Sequence, residues 1–319
     1  MRLRSVSNKD WKLKQINKNK ILHIKESFFL SETLARLLVI KKVDPDNVKL
    51  FLKPHLNKSL IFPNLLAGMK NAINHTYNEI INKKKIGIFG DYDVDGAAST
   101  AILKRFFDEI NHPSIFYIPD RVSEGYGPSI KTFNKLIEKK VSTIITVDCG
   151  SLSYKEIDYA NLKKINTIVI DHHQVEIILP KALSIINPNR VDDKSNLNQL
   201  CAAALTFLFL LALDRKLKDT NWYRTNNIQP PILDDSLDLV ALASVCDVVP
   251  LIGINRYFVK EGLNKFKSKK NLGLKSISEI CKINSDPKTY DLGFIYGPRI
   301  NAAGRLGYSN YGAKLLSTI

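Results

Sequence analysis

The sequence predicts an α/β protein in which a parallel sheet is flanked by helices and preceded by an N-terminal helical region. Between residues 85 and 187, short apolar runs rich in β-branched residues alternate with amphipathic helical segments. Such runs are typical of strands that are buried on both faces, as in parallel sheets covered by helices. With 319 residues, 45% of them hydrophobic, the chain can also form a substantial core.

The elements follow a regular order along the chain. Helical spacing of apolar residues occurs first in "SETLARLLVIKK" and "LLAGMKNAINHTYNEIINKKK". Strands are then predicted in "KIGIFG", "SIFYIP", "STIITVD", "NTIVID" and "LSIIN", and helices in "AASTAILKRFFDEI", "PSIKTFNKLIEKK" and "YKEIDYANLKK". Further helices are predicted near 200–217 and 236–246 and in "INRYFVKEGLNKF", whereas the polar, proline-bearing segment 218–235 is predicted to be a loop.

This order divides the chain into three predicted regions. Residues 1–80 form the N-terminal helical region, 81–250 the sheet-containing domain, and 251–319 a helical C-terminal part. The longest apolar run, "AAALTFLFLLAL", is shorter than the ~20 residues that a membrane span requires. We therefore predict that it is a buried helix.

The charge of the chain suits a polyanionic partner such as nucleic acid, because its formal net charge is +16 and its pI is about 9.5. The alternative is a compositional bias, since Lys, Asn and Ile are frequent throughout. The four cysteines form no CxxC pair, so neither a zinc finger nor a disulfide framework is expected. Reduced thiols and an N-terminus without an apolar signal core predict a cytoplasmic protein.

Acidic and imidazole side chains follow three of the predicted strands. They are Asp91, Asp93 and Asp95 after the first, Asp148 after the third, and His172 and His173 after the fourth. Residues two apart in extended backbone point to the same side, so the three alternate aspartates are expected to share one face. An acid after one strand can simply cap a helix or form a turn. Because ligands of open parallel sheets bind beyond the carboxyl ends of the strands, the three groups together indicate a site.

A divalent metal explains this set of side chains. Crowded carboxylates repel one another unless a cation lies among them, and oxygen-rich ligands with imidazole favour Mn²⁺ or Mg²⁺. Asp247, in the apolar segment "LDLVALASVCDVVPLIG", either joins the site or caps the next turn. The number of carboxylates suits two ions about 4 Å apart, an arrangement that hydrolyses phosphate esters or anhydrides.

Two basic segments are predicted to bind phosphate. In "GPRINAAGRLG", Arg299, Asn301 and Arg305 accompany Gly and Ala residues small enough for a ligand to approach the backbone. Arg121, in "PDRVSEGYG", follows the second strand and so lies on the same side of the sheet as the acids. The alternatives are a structural turn with solvated arginines and an ordinary loop. Neither GxxxxGK[ST] nor GxGxxG occurs, so nucleoside triphosphate and dinucleotide sites lack support.

These motifs resemble the DHH phosphoesterase superfamily, through Asp-x-Asp-x-Asp-Gly, Val-Asp-Cys-Gly and Asp-His-His-Gln at the strand ends. "SVCDVVPL", "GPRINAAGR" and "FLKPHLN…IFPNLLAGMKNA" narrow the resemblance to the RecJ family of single-strand-specific 5′→3′ DNA exonucleases, from about residue 10 to the last residue. It implies a DHH phosphoesterase domain that hydrolyses single-stranded DNA to 5′-mononucleotides in DNA repair and recombination. It also implies two Mn²⁺ or Mg²⁺ ions as cofactors, with single-strand-binding protein and a helicase as candidate partners.

The resemblance further implies the metal ligands. Asp93 and Asp95 would bind one ion each, and Asp148 would bridge both. His172 and Asp247 would bind one of the two ions. The residues expected to act in catalysis are Asp148, His172 and His173.

The resemblance also implies contacts to the substrate. His173 would support the site and face the scissile phosphate, while Arg121 and Arg299 would hold substrate phosphates. Relatives have a histidine ligand at the position of Phe89 in this chain, and Asp91 is the candidate replacement.

The sequence differs from the family at its end. RecJ family members continue beyond "GRLG" into a DHH-associated domain and an OB-type DNA-binding domain, whereas this sequence stops at Ile319. We therefore expect a truncated form or a fragment with an intact metal site and weakened DNA binding. Two other functions stay open: hydrolysis of short oligonucleotides or cyclic dinucleotides, and a catalytically weak DNA-binding scaffold for repair.

Overall fold

The computed structural model describes residues 3–12, 14–55 and 66–318. Its N-terminal part begins with a two-stranded antiparallel ribbon, β1 (Leu3–Arg4) and β2 (Asp10–Trp11), in addition to the predicted helices. The ribbon forms because Asn8 adopts the left-handed conformation (φ 58°) that the intervening turn requires. The segment "FLKPHLN…IFPNLLAGMKNA", which contributes to the family resemblance, lies partly outside the described residues.

Within the described residues, four α-helices lie between the ribbon and the sheet. They are α1 (Lys18–Phe28), α2 (Glu32–Ile40), α3 (Val48–Leu52) and α4 (Met69–Ile81). The first three form a small apolar cluster of their own around Ile24, Leu38 and Val48. By contrast, α4 contributes Met69 and Ile73 to the main core. Helices α1, α2 and α3 therefore have an apolar cluster of their own, whereas α4 belongs to the core of the sheet-containing part.

A five-stranded parallel sheet lies at the centre of the fold, so the predicted fold class is confirmed. Its strands are β3 (Ile86–Gly90), β4 (Ser114–Tyr117), β5 (Thr143–Val147), β6 (Asn166–Ile170) and β7 (Ser184–Ile186). The strand order is β4-β3-β5-β6-β7, so the direction of the connections reverses between β3 and β5. At such a switch point the carboxyl ends of the strands leave a crevice for a ligand.

Helices cover both faces of the sheet. They are α5 (Val94–Glu109), α6 (Ile130–Ile137), α7 (Tyr154–Leu162), α8 (Ala202–Asp219), α9 (Trp222–Thr225) and α10 (Leu237–Cys246). On one face, α5 packs against α8 and α10 in the main core. On the other face, α6 and α7 cover a cluster that contains Phe89, whose ring centroid lies 5.4 Å from that of Phe133.

The segment predicted as a loop, 218–235, is partly helical, so that prediction is wrong for its first half. Helix α8 extends into this segment and ends at Asp219, and α9 begins three residues later at Trp222. The reason is a tertiary contact that polar composition does not reveal: Tyr223 is buried, and its hydroxyl donates a 2.8 Å hydrogen bond to Asp214. As predicted, "AAALTFLFLLAL" is buried helix. No helix among the described residues is long and apolar enough to cross a membrane.

The C-terminal part is helical. Its elements are α11 (Gly253–Lys267), α12 (Leu272–Ile280), α13 (Thr289–Asp291), a π-helical segment (Leu292–Tyr296), α14 (Gly297–Arg305) and α15 (Asn310–Ser317). "GPRINAAGR" is therefore a helix, and the alternative of a structural turn is wrong. A Cβ added to Gly297 would lie 2.5 Å from the sulfur of Cys246, so this glycine lets α14 approach α10. Helix α15 packs against α5, which brings the C-terminal part onto the sheet-containing part.

Candidate metal centre

The first group of acids spans the transition from β3 to α5. Asp91 lies in the turn, Asp93 is the N-cap of α5 and accepts a 2.9 Å hydrogen bond from the backbone N–H of Gly96, and Asp95 lies in the first helical turn. The expectation that the three share one face of extended backbone is therefore wrong. Asp93 is a favourable N-cap, so the helix begins before the alternation reaches Asp95.

Asp148 directly follows β5, on the other side of the switch point. Its backbone is left-handed (φ 61°), a conformation that Asp tolerates better than most residues. Its side chain is buried, with Oδ1 3.2 Å from Nε2 of His172. The turn thus aims a carboxylate between the strand-end groups of β3 and β6.

Three overlapping groups of these side chains bring their ligand atoms within 4.8 Å of one another. The groups are Asp91, Asp93 and Asp148; Asp95, His172 and Asp247; and Asp148, His172 and His173. Nε2 of His172 also lies 3.6 Å from Oδ2 of Asp95 and 3.8 Å from Oδ2 of Asp247. The fold therefore brings all the predicted metal ligands together, including Asp247 from the end of α10.

Asp95 has a second set of contacts, which its spacing does not predict. Its two carboxylate oxygens accept hydrogen bonds from the backbone N–H groups of Ala202 (2.6 Å) and Ala203 (2.8 Å), the first residues of α8. Cys201, the N-cap of α8, makes no side-chain capping bond, so Asp95 takes over that function from another helix. Burial, together with Asp93 and Asp247, raises the pKa of Asp95 to about 8 although these N–H groups act in the opposite direction.

The electrostatics of the cluster favour a cation. Burial, reinforced by Asp93, raises the pKa of Asp91 to about 7 and that of Asp247 to about 6. Burial followed by the repulsion of Asp95 and Asp93 raises the pKa of Asp148 well above its ordinary value. The buried Oδ1 atoms of Asp91 and Asp148 have no hydrogen-bond partner within the described part of the chain. Divalent ions would relieve both the repulsion and the unpaired oxygens, so these residues fit Mn²⁺ or Mg²⁺.

Asp171 contacts the two histidines of the site, although the sequence does not single it out within the Asp-His-His motif. Its Oδ1 accepts a 2.7 Å hydrogen bond from Nδ1 of His173 and a 2.8 Å bond from the backbone N–H of His172. Burial opposes ionisation, yet the hydrogen bond from His173 lowers the pKa of Asp171 to about 2. The same bond raises the pKa of His173. Asp171 therefore fixes the orientation of His173, whose Nε2 lies 3.5 Å from the hydroxyl of Tyr126.

Two asparagines after β7 hold the backbone of the histidine pair. The side-chain amide of Asn189 donates to the carbonyl of His172 (2.5 Å), and that of Asn187 donates to the carbonyl of His173 (3.0 Å). The only sequence signal for them is that "NPN" follows the last strand. These two hydrogen bonds tie the backbone of both histidines to the segment after β7, the edge strand, and so help to position the imidazoles.

Arg121 lies next to the first group of acids. Its guanidinium is 5.0 Å from the ring centroid of Tyr92, which stands between Asp91 and Asp93. The charge of Arg121 lowers the pKa of Asp91, against the larger effect of burial. Arg121 is exposed, so its guanidinium is also available to a ligand.

The three predicted phosphate-binding residues of α14 differ in their positions. Asn301 and Arg305 line a cavity of about 280 Å³ together with Cys246, the residue before Asp247. Arg299 does not line that cavity; it is exposed, and its Nη1 donates a 2.8 Å hydrogen bond to the carbonyl of Ile295 in the preceding turn. The cavity therefore places Asn301 and Arg305, but not Arg299, beside the residue that precedes Asp247 in the sequence.

Comparison with known proteins identifies relatives. A model of the DHH family, N-terminal domain, matches residues 85–244. The single-stranded-DNA-specific exonuclease RecJ of Salmonella typhimurium is 39% identical over 256 residues, which are 79% of this chain and 44% of that protein. The family resemblance inferred from the motifs is confirmed by these matches.

Two solved structures are similar to this fold. A crystal structure of exonuclease RecJ bound to manganese has a TM-score of 0.70 and 31% identity, covering 81% of this chain and 62% of that one. RecJ from Thermus thermophilus in complex with Mn²⁺ has a TM-score of 0.78 and 27% identity, covering 96% of this chain and 42% of that one. The chain therefore spans 44%, 62% and 42% of the lengths of these three relatives, which is less than two thirds of each.

Proposed function

This chain belongs to the DHH family, and from that premise we propose that it is a metal-dependent hydrolase that degrades single-stranded DNA from the 5′ end. The observation that carries the proposal is the convergence of five aspartates and two histidines at the switch point of the sheet. The similarity to proteins named as single-stranded-DNA-specific exonucleases supports the choice of substrate. The formal net charge of +16 is consistent with a polyanionic substrate.

Two divalent ions, Mn²⁺ or Mg²⁺, are the proposed cofactors. The proposed ligands of one ion are Asp91, Asp93 and Asp148, and those of the other are Asp95, His172 and Asp247. Asp148 is the proposed shared ligand, because its carboxylate belongs to one group and also lies 3.2 Å from His172 in the other. Ions bound at these residues would supply Lewis-acid activation of water and neutralise charge on the phosphoryl oxygens.

His173 is proposed to donate a hydrogen bond to the substrate phosphate. Asp171 accepts from its Nδ1, so a protonated imidazole would present an Nε2–H on the side that faces Tyr126. The raised pKa of His173, caused by the hydrogen bond to Asp171, favours that protonated form. A hydrogen bond from this atom would orient a non-bridging oxygen and stabilise the negative charge that develops during hydrolysis.

Arginines on both sides of the acids are proposed to hold the phosphates of the strand. Arg121 stands beside Asp91 and Asp93, and Arg305 lines the cavity with Asn301. Arg299 is proposed to join them by exchanging its bond to the carbonyl of Ile295 for a phosphate oxygen. Guanidinium groups suit this role because they can bind phosphate with two parallel hydrogen bonds. We also propose a cytoplasmic location, with a single-strand-binding protein and a helicase as partners.

A nuclease assay on 5′-labelled and 3′-labelled single strands, with Mn²⁺ and with Mg²⁺, tests activity, polarity and cofactor together. We expect mononucleotides to be released from the 5′ end. Asp148→Asn keeps a residue that tolerates the left-handed backbone, and it should abolish cleavage and weaken metal binding measured by calorimetry. The matched control is Asp158→Asn, which changes an exposed acid on α7 and should cleave at the wild-type rate. Full activity of Asp148→Asn would refute the proposed metal centre.

The same assay separates this function from the two alternatives. Faster turnover of a dinucleotide than of a strand of about twenty nucleotides would favour a hydrolase of short substrates. Metal binding without cleavage of any strand would favour a DNA-binding scaffold.

A further inference from the structure

Two exposed tyrosines lie close to the start of α15: Tyr308 is in the turn after α14, and Tyr311 is in the first turn of α15. The rings of Tyr308 and Tyr311 are stacked, with centroids 4.9 Å apart and planes at 26°, and each residue is 53% exposed. The backbone N–H of Tyr311 donates to the carbonyl of Tyr308, so the turn itself holds the rings in register. Together they present aromatic surface to solvent, since about half of each residue is exposed.

The stacked pair is connected to the metal centre by Ser309, which lies between them in the sequence. Its buried hydroxyl accepts a 3.2 Å hydrogen bond from the backbone N–H of Arg121. The guanidinium of Arg121 in turn lies over the ring of Tyr92, in the turn that carries Asp91. The tyrosines are therefore fixed relative to the acids through one hydrogen bond and one ring contact.

Positive charges accompany the two rings. Nζ of Lys314 lies 5.6 Å from the ring centroid of Tyr311, and Arg305 is exposed at the end of α14, three residues before Tyr308. Exposed aromatic rings interleaved with Lys and Arg suit single-stranded nucleic acid, because bases stack on the rings while cations neutralise the phosphates. A purely apolar partner would leave these charges without compensation.

We propose that Tyr308 and Tyr311 form a stacking platform on which bases of the single-stranded substrate rest while its backbone runs past Arg121 to the metal centre. This tyrosine platform rests on the proposed function, since it assumes a single-stranded substrate, and it assigns a binding role to residues outside the acidic cluster. Stacking on a ring does not discriminate strongly among bases, so the platform should bind strands irrespective of sequence.

The test compares steady-state kinetics of four proteins on an oligothymidylate of about ten nucleotides, a length within the site sizes of stacking-type binders. The proteins are the wild type, Tyr308→Ala/Tyr311→Ala, Tyr308→Phe/Tyr311→Phe and Tyr290→Ala. Tyr290 belongs to another exposed stacked pair, with Phe294 at 4.8 Å, and is the matched control. We expect the double alanine variant to raise KM about tenfold with kcat changed less than about twofold, since the rings bind rather than react. The double phenylalanine variant and Tyr290→Ala should keep the wild-type KM.

Fluorescence anisotropy of a labelled oligothymidylate, in EDTA, measures binding without turnover. The double alanine variant should bind about tenfold more weakly than the wild type. If the wild type cleaves no strand with either metal, the proposed function fails, and the anisotropy comparison alone decides on the platform. Equal affinities of the wild type and the double alanine variant would overturn it.

Three further outcomes would also overturn the platform. The first is a rise in KM for Tyr290→Ala as large as that for the double alanine variant. The second is a loss of DNA affinity in the double phenylalanine variant as large as that in the double alanine variant. The third is a lower melting temperature of the double alanine variant that accounts for its weaker binding. A change in oligomeric state without a change in DNA affinity would assign the pair to a contact between copies of the chain.

Discussion

Replacement of Gly96 by alanine should disable the metal centre by displacing Asp91. A Cβ built on Gly96 would lie 2.5 Å from the carbonyl oxygen of Asp91 and 2.7 Å from its backbone N and C atoms. Ordinary contact begins at 3.4 Å, so the backbone must separate by about 0.9 Å. Because these neighbours are backbone atoms rather than the end of a flexible side chain, the strain moves Asp91 itself.

The size of the effect follows from this displacement. A misplacement of about 1 Å in a catalytic arrangement costs roughly 100-fold in rate, so kcat/KM should fall by about that factor. Overpacking costs about 1–3 kcal/mol in the free energy of unfolding. With an unfolding entropy of about 2.1 cal/mol/K per residue, a chain of 319 residues should lose about 2–4 °C in melting temperature.

Three measurements check the reasoning: cleavage of a labelled strand with Mn²⁺, Mn²⁺ affinity by calorimetry, and the melting temperature. The matched control is Gly293→Ala, in the π-helical segment, where a Cβ would meet only Val245 at the ordinary distance of 3.4 Å. Its melting temperature should not fall, because alanine is favoured over glycine in helices. Wild-type cleavage and Mn²⁺ affinity in Gly96→Ala would refute the claim that this glycine positions Asp91.

Three more predictions concern single residues. Burial lowers the pKa of His112 to about 4, so the stability that its neutral form contributes is present above pH 6.5 and is lost as the pH falls towards 4. Between pH 7 and pH 5, the melting temperature of the wild type should therefore drop by about 3 °C more than that of His112→Gln. Equal drops in the two proteins would contradict this prediction. Asp171→Asn removes the charged hydrogen-bond acceptor that raises the pKa of His173. The NMR titration of that imidazole should therefore move to lower pH, and kcat should fall about 10–100-fold. An unchanged titration would count against the hydrogen bond between Asp171 and His173. The backbone of Val248 is in the left-handed region (φ 57°), which is costly for a β-branched residue. Val248→Asn should therefore raise the free energy of unfolding, measured by calorimetry, by about 1 kcal/mol. A decrease would show that Val248 is not strained.

The sheet and the convergence of the acids are predictable because they depend on local and topological rules. Runs such as "STIITVD" have the β-branched composition of buried strands, and β5 occupies that run. Parallel strands end at the same edge, so Asp148 and His172 meet although they are distant in sequence. The direction of Asp95 is not predictable in the same way, since it depends on whether the chain is still extended or already helical at that residue.

The partners of individual side chains could not be derived from spacing. Asp95 bonds to N–H groups of α8, more than a hundred residues away, and Asp171 bonds to the imidazole two residues later. Both need the tertiary arrangement before a partner can be named. Arg299 shows the reverse case, because its motif suggests a ligand while its guanidinium donates to the carbonyl of Ile295 in the preceding π-helical segment.

The bonds from Ala202 and Ala203 to Asp95 have a spectroscopic consequence. Two amide protons in a deeply buried helix share a carboxylate with the proposed cation site, so ion loading should withdraw electron density from their acceptor. The chemical shifts and hydrogen-exchange rates of these two amides should then measure how much of the cation site is occupied. The measurement requires neither substrate nor a label on the catalytic side chains. Metal binding could thus be followed by NMR at the start of α8, at backbone groups that are not themselves proposed ligands.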